Sequence, residues 1–229
     1  MTLRLTLRYL LAFILLLLVM MEMHEIVHIS VGWMICGCWG PRDFNVWELC
    51  DACEKSETLG WIATMAGPLF SFALMWLGMF WLSSVNSKKV AVGFSLIFSN
   101  IPFGRITTVM MGGGDEMVVV RHFMAADFSR IQMICGGTLI VLALGVPPIV
   151  KAFRIIQNKR AWIYIVGFLT LPLLFLLVYT LIGLNTLLVS GFLASPWIMG
   201  TPVLITLHTS IALIFLITFR RNLYSLKAL

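Results

Sequence analysis

Residues 9–36 read YLLAFILLLLVMMEMHEIVHISVGWMIC, and this stretch decides the fold. It is longer than the roughly 20 apolar residues that a helix needs to cross about 30 Å of membrane hydrocarbon. Two glutamates and two histidines interrupt the apolar run in its second half. The stretch therefore predicts a membrane-spanning helix that carries a polar site.

The composition of the whole chain indicates a membrane protein. Of its 229 residues, 60% are hydrophobic and 11% are charged, against roughly 45–50% and 25% in soluble domains. So few charges cannot cover a soluble core of this size, which excludes a cytosolic enzyme, a nucleic-acid binder and a disordered chain.

Five further stretches are long and apolar enough to cross a membrane. We therefore predict an all-α polytopic bundle of about six transmembrane helices, forming one membrane domain over residues 1–229. The predicted spans are Tyr9–Cys36, Leu59–Ser83, Val90–Met110, Ile131–Val150, Ala161–Ser190 and Gly200–Phe219.

Basic residues concentrate at alternate ends of these spans. Because Lys and Arg collect in cytoplasmic loops, we predict that both termini are cytoplasmic and that the polar loop Gly37–Thr58 faces the other side. Eleven of the 16 basic residues lie on the cytoplasmic side in this topology: Arg4, Arg8, Lys88, Lys89, Lys151, Arg154, Lys159, Arg160, Arg220, Arg221 and Lys227. The other five are Arg42, Lys55, Arg105, Arg121 and Arg130.

Four cysteines bracket the polar loop, at Cys36, Cys38, Cys50 and Cys53. An even set on an oxidising face favours two disulfides. Their spacing is also compatible with a structural zinc site or with free thiols.

His24, Glu25 and His28 form the pattern His-Glu-x-x-His in the first span. Residues i and i+4 share one face of a helix, so both imidazoles can bind one Zn²⁺ ion, while Glu25 can reach a water molecule on that metal. Bound zinc lowers the pKa of water towards about 7, and a carboxylate can then take the proton. Ionisable groups inside a membrane helix also mark functional sites. We therefore predict a catalytic zinc centre here, with Glu25 as general base.

Three further motifs follow in chain order: Ala66-Gly67-Pro68, Asn100-Ile101-Pro102 and Gly112-Gly113-Gly114-Asp115. In this order the sequence resembles the site-2 protease family of intramembrane zinc metalloproteases. Members carry His-Glu-x-x-His in one membrane helix and Gly-Pro in the next. Their third helix contains Asn and Pro and leads to an Asp that completes the zinc site.

The resemblance implies a role for several residues. Asp115 would be the third zinc ligand, with Glu116 and His122 as alternatives, and Asn100 would position the substrate backbone. Residues 1–123 would form the catalytic core, and residues 124–229 would add three transmembrane helices.

The expected function is an intramembrane zinc endopeptidase acting on membrane proteins or peptides in the lipid bilayer. The topology predicts an active site nearer the extracytoplasmic surface. A zinc-dependent hydrolase acting on lipid, or a non-catalytic metal-binding membrane protein, are the alternatives. No nucleic-acid partner is expected, and the sequence leaves the oligomeric state open.

Overall fold

The computed structural model describes residues 1–225, and the chain is all-α; Lys227 lies outside the described residues. The helices are α1 (Leu7–Cys36), α2 (Ser56–Trp81), α3 (Ser87–Ser99), α4 (Pro102–Met110), α5 (Asp115–Met124), α6 (Arg130–Ile155), α7 (Ala161–Leu176), α8 (Asn185–Val189) and α9 (Val203–Phe219). A π-helical segment, Leu177–Leu184, continues α7, and a 3₁₀ turn, Arg220–Ser225, continues α9.

Six helical stretches in the described part of the chain are long and apolar enough to cross a membrane, as predicted. Their bounds lie within five residues of the predicted ones, and the fold class is confirmed as a multi-pass helical bundle. The stretches are Leu7–Cys36, Ser56–Trp81, Ser87–Met110, Arg130–Ile155, Ala161–Val189 and Val203–Tyr224.

The third span is broken in the middle, where α3 ends at Ser99 and α4 begins at Pro102. Proline has no N–H to donate to the preceding turn, so the break at this position was expected. Ile101 joins the two helices with a φ of 51°, in the left-handed region. For a β-branched residue this conformation costs on the order of 1–3 kcal/mol, and such strain concentrates at functional sites.

Hydrogen bonds join chain segments that the charge pattern predicts to lie on the same side of the membrane. Leu3 N–H donates to Asn158 Oδ1 at 2.8 Å, and Asn158 Nδ2 donates to the Leu3 carbonyl at 3.1 Å. At the other end of the bundle, Asn185 Nδ2 donates to Asn45 Oδ1 at 2.6 Å. The N-terminus therefore lies beside the α6–α7 connection, and the polar loop lies beside the end of the fifth span.

The polar loop between α1 and α2 is stapled by two disulfides, Cys36–Cys53 and Cys38–Cys50. Of the three states considered for these cysteines, the structure contains the disulfides. Leu49 packs the loop against both α1 and α2. Its methyl groups leave little room for a Cβ at Gly32 or Gly60, where the distances would be 3.1 and 3.2 Å.

Helix α1 is the central element, packed against α2, α3 and α9. Near its start, Tyr9 is fully buried and its hydroxyl lies 3.0 Å from Ser95 Oγ on α3. Helices α2 and α3 approach most closely where Gly78 faces Gly93. A Cβ on Gly93 would lie 2.6 Å from the Gly78 carbonyl oxygen and 2.9 Å from Trp81 Cβ.

Gly93→Ala is expected to lower the stability of the bundle, because the added methyl group can be accommodated only if the backbones of α2 and α3 separate. Overpacking of this kind typically costs about 1–3 kcal/mol. Thermal unfolding in detergent should therefore begin at a lower temperature than in the parent protein. Gly136→Ala is the matched control, since the nearest atom to its added Cβ is at 3.9 Å. Equal unfolding temperatures for the two variants would contradict the close contact.

Candidate metal centre

Three side chains converge where α1 meets the start of α5. The Nε2 atoms of His24 and His28, one helical turn apart, are separated by 3.0 Å. Asp115 Oδ2 lies 3.2 Å from Nε2 of His24 and 3.3 Å from Nε2 of His28. Within the described residues, this cluster is the group of three ligand-type side chains close enough to share a metal ion.

The spacing of these atoms fits a tetrahedral zinc ion. Zinc binds imidazole nitrogen and carboxylate oxygen at about 2.0–2.2 Å, which places tetrahedral ligand atoms about 3.3–3.6 Å apart, so small shifts of these side chains would suffice. The observed separations are 3.0, 3.2 and 3.3 Å. Two imidazoles and one carboxylate also match the three protein ligands of catalytic zinc sites, whose fourth position is left for water or substrate.

The orientation of His28 is set by two neighbouring elements, helix α2 and the stapled loop. Its Nδ1 lies 2.7 Å from the Ala63 carbonyl oxygen, which can only accept, so Nδ1 donates and Nε2 keeps a lone pair. The ring of Trp47, from the stapled loop, stacks on the imidazole with centroids 4.9 Å apart. Gly67 of α2 faces both metal-site imidazoles, and a Cβ there would collide with His28 Nε2 and His24 Cε1.

His24 contacts a polar group that spans three helices. Its Nδ1 lies 3.1 Å from Ser71 Oγ on α2 and 3.0 Å from Nη2 of Arg105 on α4. Arg105 Nη2 also donates to Ser71 Oγ at 2.9 Å, and Nη1 donates to Glu116 Oε1 at 3.1 Å. The second imidazole is therefore held from α2, α4 and α5 together.

Asp115 reaches the histidines because a glycine turn redirects the chain after α4. Gly112 and Gly114 have φ values of 79° and 82°, a region that glycine adopts without strain. Burial raises the pKa of Asp115, but contacts with the His24 and His28 imidazoles more than offset this effect and hold the pKa below its usual range. The side chain therefore stands at the metal site as a carboxylate.

A cavity of about 530 Å³ opens beside the three ligands. One buried oxygen of Glu25 and one of Asn100, both residues that line the cavity, have no hydrogen-bond partner among the described residues. The opposite wall is apolar and comes mainly from α7 and its π-helical continuation, through Leu173, Leu174, Leu177 and Leu181. The C-terminal half thus contributes directly to the cavity that the catalytic half was expected to form.

Glu22 forms a buried ion pair with Arg42 just before the metal-site residues on α1. Arg42 Nη1 and Nη2 donate to the two carboxylate oxygens at 2.9 and 2.8 Å. The Arg42 side chain has no solvent exposure and that of Glu22 is 9% exposed. A bidentate pair of this kind is a strong, directional interaction, and it anchors the stapled loop to α1.

The structure places each predicted site residue. His24, His28 and Asp115 come together, whereas Glu116 pairs with Arg105. The exposed His122 stacks on Trp61, with ring centroids 6.2 Å apart. Of the three candidates for a third ligand, Asp115 is the one whose carboxylate lies within 3.3 Å of both imidazole Nε2 atoms. Asn100 lines the cavity; its Nδ2 donates to the Leu96 carbonyl at 2.8 Å, and its Oδ1 has no hydrogen-bond partner among the described residues.

Four residues around the site were not found from the sequence: Arg42, Trp47, Ser71 and Arg105. Arg105 was grouped with the basic residues of the outer side, yet it lies within the third span, in α4, with a side chain that is only 14% exposed. A lone arginine inside an apolar stretch is itself a signal of function and was available in the sequence. For Arg42 and Trp47 the sequence offered no comparable signal, since both lie in a loop with many polar residues.

Comparison with known proteins finds no family model, no curated protein and no solved structure that matches this chain. The functional assignment therefore rests on the residues and geometry of the site.

Gly67→Ala is expected to abolish high-affinity zinc binding, because its methyl group would occupy the space of the two imidazoles. Zinc per chain, measured by mass spectrometry of the purified protein, should fall from about one to near zero. Gly167→Ala on α7 is the control, since its added Cβ has its nearest neighbour at 3.9 Å. Full zinc content in the Gly67 variant would contradict the contact described above.

Arg42→Met is expected to destabilise the protein by about 3–5 kcal/mol, because it leaves Glu22 buried without its partner. The double variant Glu22→Met/Arg42→Met removes both charges and should recover most of the loss. Thermal unfolding in detergent measures both effects. Lys55→Met, which removes an exposed charge from the same loop, should change the unfolding temperature little. Equal effects of the single and double variants would argue against the ion pair.

Proposed function

We propose that the protein is a zinc endopeptidase that hydrolyses peptide bonds in or near membrane-spanning segments of its substrates. The observation that carries the proposal is the convergence of His24, His28 and Asp115 beside a cavity between membrane-spanning helices, which His24, Asp115 and Glu25 line. The order of the motifs, which resembles site-2 proteases, supports the same assignment. The presence of Glu25 between the two histidines favours catalysis, since metal binding alone has no need of this carboxylate.

His24, His28 and Asp115 would hold the zinc ion, which when bound polarises the scissile carbonyl and acidifies water. Glu25 accepts a proton from a water molecule and delivers it to the leaving nitrogen. The water oxygen forms a bond to the carbonyl carbon, and the C–N bond breaks. One water molecule is consumed for each peptide bond, and no other reactant is required.

We propose that Asn100 binds the substrate backbone. Its free Oδ1 lies at the break between α3 and α4 and can accept a hydrogen bond from a substrate N–H. A helical peptide has already committed its N–H groups to its own carbonyls, so the substrate must unwind locally before this bond can form. Membrane segments with helix-breaking residues are therefore the expected substrates.

We infer that both termini are cytoplasmic and that the metal centre lies nearer the extracytoplasmic surface. The basic residues support this orientation. The two disulfides support it independently, because disulfides persist on the oxidising side of a membrane. His28 lies eight residues before Cys36 on the same helix, which is a rise of about 12 Å.

The proposal is tested by zinc content and cleavage in matched variants. The parent protein should contain about one zinc per chain, and His24→Ala/His28→Ala should contain none. Glu25→Gln should keep its zinc but cleave at least about 10²–10⁴-fold more slowly, because the general base is lost. The probes are single-span peptides with an Asn-Pro or Gly-Pro break, co-reconstituted with the protein in liposomes, and mass spectrometry detects the products.

Two outcomes would contradict the proposal. Absence of zinc from the parent protein would remove the metal centre, and undiminished cleavage by Glu25→Gln would exclude the stated mechanism. Glu25-dependent release of fatty acid from the liposome lipid, without peptide cleavage, would instead identify a lipid hydrolase. Glu57→Gln, which alters an exposed glutamate at the start of α2, is the control for a general effect of charge removal.

A further inference from the structure

Arg105 places a guanidinium group beside the metal centre. It lies within a membrane-spanning stretch, and its side chain is only 14% exposed. A charged side chain at such a position is unfavourable unless it is paired or functional. Its pairing with Glu116 accounts for the charge, since Nη1 donates to Glu116 Oε1 at 3.1 Å.

Arg105 has one nitrogen without a hydrogen-bond partner among the described residues. Its Nε–H is buried and has no acceptor among the described residues, and an unsatisfied buried donor typically costs about 1–3 kcal/mol. Arg105 lines the same cavity as Glu25 and Asn100, each of which has a buried oxygen without a partner. One free donor and two free acceptors thus belong to residues of a single cavity, as expected where a peptide group binds.

The other side-chain donors around the cavity are largely engaged. The hydroxyls of Ser99, Thr107 and Thr108 donate to carbonyl oxygens of their own helices. Asn100 Nδ2 donates to the Leu96 carbonyl. Apart from the histidines of the metal centre, Arg105 is the one cationic residue that lines the cavity in the described part of the chain.

Peptide hydrolysis places negative charge on the carbonyl oxygen as water adds to the carbon. Donors fixed in advance at that oxygen account for a large share of catalysis in many hydrolases. We propose that Arg105, held by Glu116 and Ser71, donates a hydrogen bond to the scissile carbonyl oxygen and stabilises its developing charge. This inference rests on the proposed peptidase function and adds a catalytic residue to it.

The experiment compares Arg105→Gln and Arg105→Lys with the parent protein. The binding probes are two inhibitors built on the sequence of a cleaved liposome peptide, one with a negatively charged phosphinic group and one with a neutral ketomethylene group. For Arg105→Gln we expect phosphinic affinity and kcat to fall about 10²–10³-fold. Ketomethylene affinity, KM and zinc content should change little, and Arg105→Lys should restore part of the lost kcat.

The double variant Arg105→Gln/Glu116→Gln guards against loss of folding, because it leaves no unpaired charge at this position. It should show the same selective loss of phosphinic affinity. Arg121→Gln, an exposed arginine on α5 outside the cavity, should behave as the parent protein.

Three results would overturn the inference. Zinc content that falls in proportion to activity would show that Arg105 only orients His24. Equal losses of affinity for the two inhibitors, or a parental kcat in the double variant, would show that Arg105 does not stabilise the developing charge. Failure of the peptidase proposal is recognised separately, by absence of zinc in the parent protein or by cleavage that persists in Glu25→Gln.

Discussion

The structure depends on one constraint, which is that α1 carries Glu22, His24 and His28 inside a membrane and each of these groups needs a partner. Glu22 accepts hydrogen bonds from two N–H groups of Arg42, and the Nδ1 of His28 donates to the Ala63 carbonyl oxygen. His24 is met by side chains from α2, α4 and α5. Because an unpartnered charge in hydrocarbon is strongly unfavourable, these contacts determine which elements must surround α1.

Some of these contacts come from segments with irregular backbone, and each such segment is stabilised in its own way. Two disulfides constrain the loop that carries Arg42 and Trp47. A glycine turn delivers Asp115, and a strained residue, Ile101, separates α3 from α4 beside the cavity. Irregular backbone at membrane depth persists only where it is enclosed by protein or lines a cavity. Both conditions hold here, so the polar cluster and the broken helix support each other.

The spans and the histidine pair could be predicted from the sequence, because both follow from local rules of length and helical periodicity. Asp115 required the resemblance, since no local rule links it to residues 87 and 91 positions earlier. The arginine partners of Glu22 and His24 could not be predicted. Arg42 depends on how four cysteines pair, for which three arrangements exist, and Arg105 depends on where α3 breaks.

The balance of charges around the candidate metal centre supports a divalent cation at this site. Arg42 balances Glu22, and Arg105 balances Glu116, each through a direct ion pair. The remaining carboxyls at the centre are Asp115 and the general base Glu25, which together carry two negative charges when ionised. In a low-dielectric cavity an uncompensated pair of charges would favour neutral carboxylic acids. In the proposed enzyme, a divalent cation held by Asp115 and two neutral imidazoles would balance the pair and leave Glu25 as the anionic base that hydrolysis requires.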